Sequence, residues 1–157
     1  MTGDASEDGR AEENGWKELK IGGFMDRAGP LLAQRRNGSW IYGLHTDESH
    51  TNPAGVLHGG VTASLVDHAI AMVAWEATGR VPCVTVQVDL RYLEAAKAGD
   101  RLEARVAMRH RTKSLLFLDA DVTVSGKAIA SASAVMKPIR RTSAPVSDQT
   151  AEKQDER

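Results

Sequence analysis

The chain has a single cysteine, Cys83, which rules out an intramolecular disulfide and a cysteine-cluster metal site. No apolar run reaches the ~18–20 residues that a membrane span needs. The N-terminus is acidic and polar rather than basic then apolar, so no secretory signal is visible and a cytoplasmic location is expected. Interleaved aromatics and dense Lys/Arg runs are also missing. With aromatics at 4% there is little for bases to stack on, and no nucleic-acid partner is expected.

What is present is enough for one domain with a real core, at 157 residues and 41% hydrophobic. Charge is unevenly placed. Residues 1–14 carry five acids (Asp4, Glu7, Asp8, Glu12, Glu13) against Arg10, and residues 142–157 carry four (Asp148, Glu152, Asp155, Glu156) against Lys153 and Arg157. Setting both tails aside leaves 17 basic and 12 acidic residues of the chain's 20 and 21, a body of about +5. Polar tails poor in large apolar residues are expected to be disordered, leaving residues 15–141 as the folded domain. A basic body favours an anionic small molecule.

Within that body, Trp16 to Phe24 reads as a short helix or an irregular leading segment. Pro30 to Arg36 and Ser39 to Thr46 read as two strands joined at Asn37-Gly38, a strong hairpin signal. After a polar loop, an apolar helix should run to about Gly79. Four strand-like segments follow. In the first, Val84, Val86, Val88, Leu90 and Tyr92 alternate with Thr85, Gln87, Asp89 and Arg91. In the second, Leu102, Ala104, Val106 and Met108 alternate with Arg101, Glu103, Arg105 and Ala107. Leu115 to Val124 and Lys127 to Ile139 complete the set, parted by Ser125-Gly126. Period-2 alternation calls for antiparallel strands with one face buried. The fold class is therefore α+β, with about six strands curved around one long central helix.

The segment that carries chemistry is Asn52-Pro-Ala-Gly-Val-Leu-His58-Gly59-Gly60 and the apolar run behind it, which contains Asp67. From Val61 to Trp75 only Thr62, Ser64, Asp67 and His68 interrupt Val, Ala, Leu, Ile and Met, so the helix reads as buried nearly all round. A carboxylate in its middle is costly unless something pairs with it. Two glycines at the helix mouth leave backbone N–H groups able to hold a developing oxyanion. Gly60, Ser64 and Asp67 are i, i+4 and i+7 and share one face.

Asn52, Gly55, His58-Gly59-Gly60 and Asp67, in that spacing, resemble the hotdog-fold acyl-CoA thioesterases of the phenylacetate-pathway (PaaI) type. Phe24 to Leu31 and Thr85 to Asp100 are also similar to that family, and the likeness spans roughly residues 20–138. The resemblance implies a hotdog fold and hydrolysis of acyl-CoA to free acid and CoA, with no metal or organic cofactor. It implies Asp67 as general base or nucleophile and Gly59/Gly60 amides as the oxyanion site. Asn52 would assist the thioester carbonyl, His58 would shape the site, and Thr85 would help to position water where many relatives carry Ser. It also implies a homodimer or dimer of dimers, with each active site built from both subunits.

Other readings stand beside these. His-Gly-Gly alone is also a tight loop-to-helix junction, and Asp67 could be bonded to nearby backbone. His68, about 100° round the helix from Asp67, reads as a core or interface residue, and His45 and His50 as exposed. No spacing among these histidines and Asp67 suggests a metal site. Thr85, judged on the strand pattern alone, is an ordinary strand residue. Arg109, Arg111 and Lys113 are either a solvated turn or a landing place for the CoA phosphates, with Arg140 and Arg141 as further candidates. Cys83 reads as a small apolar filler, not a nucleophile. Two rival functions come from other classes. A hotdog-fold hydratase or dehydratase would need an Asp followed by a downstream His, whereas here His58 precedes Asp67. A non-catalytic acyl-CoA sensor would normally carry a DNA-binding appendage, which neither tail resembles.

Overall fold

The computed structural model describes residues 15–139, so the two tails, with Arg140 and Arg141, lie outside the described residues. In chain order the elements are β1 (Lys17–Leu19), α1 (Phe24–Ala28), β2 (Leu31–Arg36), β3 (Ser39–His45), a 3₁₀ turn (Glu48–His50), α2 (Gly59–Ala77), β4 (Cys83–Tyr92), β5 (Arg101–Arg111), β6 (Leu116–Val124) and β7 (Lys127–Pro138). All strand pairs are antiparallel and form one sheet in the order β1-β2-β3-β5-β6-β7-β4. This is the expected hotdog architecture, a sheet around one long helix. The count is seven strands because Lys17–Leu19, inside the segment read as helical or irregular, pairs with Leu31–Ala33.

Local chemistry accounts for the connections. Asn37 and Gly38 both have positive φ (51° and 81°), as do Ser125 and Gly126 (48° and 83°). Two successive left-handed residues match the twist of a tight hairpin. Helix α2 ends at Ala77, where the Thr78 amide closes onto the Ala74 carbonyl and Gly79 takes φ 72°. The core lies between α2 (Leu65, Val66, Ala69, Ile70, Ala74) and the inward residues of the sheet, among them Leu102, Ala104, Leu116, Leu118, Ala120, Val122 and Met136.

Two departures from simple alternation position the site. In β4, Thr85 pairs with Met136 and Gln87 with Val135, so Val86 is an extra, bulged residue. Directly opposed residues of an antiparallel pair share a face. Met136 points into the core, so Thr85 turns toward α2, while Val84 and Val86 are left 43% and 55% exposed. Strict alternation had assigned Thr85 to the opposite, polar face. In β5, Met108 pairs with Leu118 and His110 with Phe117, which makes Arg109 the extra residue. Arg111, opposite the buried Leu116, therefore faces the helix side.

Helix α2 is covered on one side only. Ser64, Asp67, His68 and Ala71 are half-buried, in contrast to the fully buried Leu65, Val66, Ala69 and Ile70. The even apolar character of the helix thus exceeds what its own sheet covers.

Candidate active site

The helix mouth is a set of specific contacts. His58 is the N-cap of α2, and its Nδ1 accepts from the Gly60 amide at 2.9 Å, which places the ring proton on Nε2. The Gly59 amide has no partner among the described residues. Of the two glycine N–H groups expected to be bare, then, one is capped by His58 and one is open. Space explains both glycines. A Cβ on Gly60 would lie 2.9 Å from His58 Nδ1, and one on Gly59 would lie 2.9 Å from the Tyr92 hydroxyl.

Asn52 folds its own loop. Its Oδ1 accepts from the Ala54 amide at 2.9 Å and the Val56 amide at 3.4 Å, and its backbone carbonyl accepts from the Gly55 amide at 2.9 Å. With the carbonyl oxygen fixed in this Asx-type turn, the side-chain NH₂ faces away from the turn and has no partner among the described residues.

Two turns into α2, Asp67 Oδ1 accepts from Thr85 Oγ1 at 2.7 Å. This is the partner that a carboxylate in an apolar helix requires, and it leaves Oδ2 without a partner among the described residues. Ser64, on the same face, donates its hydroxyl to the Gly60 carbonyl at 2.7 Å. His68 turns aside: its Nδ1 lies 3.0 Å from the Ser64 carbonyl and its ring is tilted against Phe24, with centroids 6.4 Å apart. Cys83 is half-buried, with its thiol on the Val81 carbonyl at 3.4 Å.

His50 corrects the reading of an exposed histidine. It is 9% exposed, its Nδ1 accepts from the Asp47 amide at 3.0 Å, and its Nε2 lies 2.7 Å from the Ala28 carbonyl. It closes a capping box at the 3₁₀ turn and holds the loop that leads to Asn52. The Ser49 hydroxyl and amide keep the exposed Asp47 carboxyl below its ordinary range.

The basic cluster is divided. Arg109 Nε donates to Asp119 Oδ2 at 2.7 Å on the sheet face away from α2, and that contact holds the Asp119 carboxyl below its usual value. Arg111 Nη1 donates to the Ala77 carbonyl at 2.6 Å, at the negative end of the helix. Lys113 is exposed at the β5–β6 turn.

Tyr92 is a contact that the strand pattern did not single out, since it read there only as the last apolar residue of an alternation. Its hydroxyl donates to the Gly59 carbonyl at 2.8 Å, and it borders a cleft of about 380 Å³ whose walls include Val56, Gly59, Leu93 and Ile129. An aromatic residue ending a strand gives no sequence signal that it reaches a helix mouth. Among the described residues, no three of His, Cys, Asp and Glu converge as a metal site would require, and no helix is long and apolar enough to cross a membrane.

Comparison with known proteins identifies the family and the fold. Residues 54–130, which include the helix mouth, Asp67, Thr85 and Tyr92, match the family described as the thioesterase superfamily. Acyl-coenzyme A thioesterase 13 of Homo sapiens is 35% identical over 101 residues, covering 63% of this chain and 72% of that protein. Among solved structures, a single-site mutant of the phenylacetic acid degradation protein PaaI from Thermus thermophilus superposes with a TM-score of 0.66 at 23% identity, over 74% of this chain and 98% of that one. A hypothetical thioesterase from Streptococcus pneumoniae, solved with coenzyme A, gives 0.60 at 25% identity, over 68% and 86%. On the matched residues, the identity to that relative and the shared sheet and helix, this chain belongs to the thioesterase superfamily as a hotdog-fold protein of the PaaI type.

Proposed function

We propose that this protein hydrolyses acyl-CoA thioesters, with Asp67 as the residue that activates water. The observation that carries the reading is the Asp67–Thr85 pair: a carboxylate on the uncovered side of an apolar helix, with one oxygen held by a hydroxyl at 2.7 Å and the other open. Asp67 takes a proton from water as the water oxygen attacks the thioester carbon. The carbonyl electrons move onto oxygen, where the Gly59 amide and the Asn52 NH₂ receive the charge. The tetrahedral intermediate then expels the thiolate, which takes from Asp67 the proton that water gave up, leaving a carboxylic acid and CoA. In the nucleophilic variant, Asp67 attacks the carbonyl carbon and the C–S bond breaks to release the thiolate. Water then cleaves the resulting anhydride into free acid and the Asp67 carboxylate, and the proton freed goes to the thiolate. One oxyanion donor is worth about 3–4 kcal/mol of barrier. A thiolate leaves readily, so no strong general acid is needed.

Geometry favours a site shared between two copies. Along one helix, Gly59 and Asp67 are eight residues apart, a rise of ~12 Å. A carbonyl and its attacking water, each held at ~3 Å, would bridge that gap only at full stretch. Two α2 helices laid antiparallel and centred near Ala63 set Gly59 of each against Asp67 of the other. The half-buried face of α2 and the edge strand β4, unpaired on its outer side among the described residues and exposing Val84 and Val86, are the surfaces that such a dimer would cover.

The test is thiol release from short, long and aromatic acyl-CoAs by the wild type and by Asp67→Asn. The variant should lose at least about 10²-fold in turnover while it remains folded. A wild type inert toward the whole set, or a variant as active as the wild type, would overturn the reading.

A further inference from the structure

We propose that Tyr92 is a positioning residue for the oxyanion site, acting through the peptide unit that joins Gly59 to Gly60. The inference rests on the thioesterase reading given above and adds to it a residue outside the Asn-His-Gly-Gly-Asp pattern.

Two successive glycines at a catalytic helix mouth present a difficulty. They admit the close approaches described above, but they are also the residues with the most backbone freedom. An oxyanion donor is effective only if it is held in place before the reaction. The Gly59–Gly60 peptide unit is held at both ends. Its carbonyl oxygen accepts from the Tyr92 hydroxyl at 2.8 Å, and its amide donates to His58 Nδ1 at 2.9 Å. The two side chains come from opposite directions, His58 from the loop before the helix and Tyr92 from the end of strand β4. Tyr92 is itself anchored, since it pairs with Ala130 and the next two amides, of Leu93 and Glu94, both reach the Ile129 carbonyl at 2.9 and 3.2 Å.

Holding this unit removes most of the freedom on one side of the Gly59 Cα and, with His58 as N-cap on the other side, narrows the directions in which the Gly59 amide can point. A donor on the carbonyl also polarises the peptide, strengthening the amide's bond to His58. The ring contributes as well: the Tyr92 Cζ and Cε1 atoms would lie 3.0 and 3.2 Å from a Cβ at position 59, so the phenol closes one side of the residue whose amide is open. Tyr92 does not touch the reacting atoms in this arrangement. It sets the direction of the group that does.

The test is Tyr92→Phe, which keeps the ring and removes only the hydroxyl. One hydrogen bond is at stake, so kcat should fall about 3- to 10-fold with KM nearly unchanged. Two acyl-CoA analogues separate positioning from mere packing. A trifluoromethyl ketone analogue, whose adduct carries an oxyanion, should bind the variant more weakly by the same factor as the loss in kcat/KM. A thioether analogue, which has no carbonyl, should bind both proteins equally. The amide NMR signals of Gly59 and Gly60 should move in the variant, while its melting temperature should fall by only about a few degrees. Unchanged kinetics, or equal losses for both analogues, would overturn the role of Tyr92 while leaving hydrolysis by Asp67 intact. A wild type that hydrolyses no acyl-CoA would overturn the functional reading and this proposal with it. Tyr92→Ala, which also removes the ring, should lose more kcat than Tyr92→Phe; a smaller loss would likewise contradict the proposal.

Discussion

Thr85 reaches Asp67, at 2.7 Å between oxygens, because strand β4 carries one residue too many. The bulge at Val86 reverses which face Thr85 occupies and turns its hydroxyl toward the helix. Bulges commonly serve to re-aim a side chain in this way. The hydroxyl holds one carboxylate oxygen, and the other has no partner among the described residues.

Thr85→Val keeps the shape and removes the donor. A hydrogen bond to a charged group is worth ~1.5–3 kcal/mol, so turnover should fall about 10- to 100-fold. Thr85→Ser should restore most of it. Steady-state kinetics on the best acyl-CoA check this, and a Val variant as fast as the wild type would remove Thr85 from the mechanism.

The basic residues near the β5–β6 turn face two ways, so they should separate in a kinetic comparison. Arg111 reaches the end of α2 and Lys113 is exposed at the turn beside it, whereas Arg109 is paired with Asp119 on the far face. Replacing Arg111 and Lys113 by Ala should raise KM for an acyl-CoA about 3- to 5-fold, the scale of exposed charge pairs. KM for the same acyl group on a short uncharged thiol should stay put. Added salt should weaken the wild type more than the variant, because exposed pairs are screened within ~8 Å. Arg109→Ala should leave the ratio of the two KM values unchanged. Equal effects on both thioesters would make the whole cluster structural.

Much of this frame could be read in the chain alone. Asn37-Gly38 announces its hairpin, and the spacing of His58-Gly59-Gly60 to Asp67 places the helix and its acid. The alternation from Leu102 to Met108 gives β5 its inner face. Each miss has a physical cause. Alternation carries no mark of an inserted residue, so the bulges at Val86 and Arg109, which decide where Thr85 and Arg111 point, were invisible. His50 looked exposed because a polar loop hides how firmly it is tied down, and its two ring contacts, to Asp47 and Ala28, depend on the fold. Tyr92 looked like one more apolar strand residue because the groups it reaches lie 33 positions away.

Alkaline pH should expose the core tyrosine. Burial, with the Glu76 charge nearby, pushes the Tyr42 phenol up to about 12 from an ordinary value of 10.0. The folded protein then holds a proton that the unfolded chain releases, so this contribution is complete below pH 10 and is lost as pH rises toward 12. A shift of this size corresponds to roughly 2–3 kcal/mol. Urea midpoints measured from pH 8 to 12 should fall more steeply for the wild type than for Tyr42→Phe. Parallel slopes would contradict the assignment.

The central claim, that Asp67 works with the helix mouth of a second copy, is tested most directly by mixing two inactive variants. Asp67→Asn lacks the acid and Asn52→Ala lacks the side-chain donor. In a shared-site dimer, a mixed pair contains one doubly damaged site and one intact site. After subunit exchange, verified by mass-tagged chains, acyl-CoA hydrolysis should return to about one quarter of the wild-type level, since half of the randomly exchanged dimers are mixed and each has one working site of two. No recovery despite proven exchange would place each site within a single chain and contradict the account.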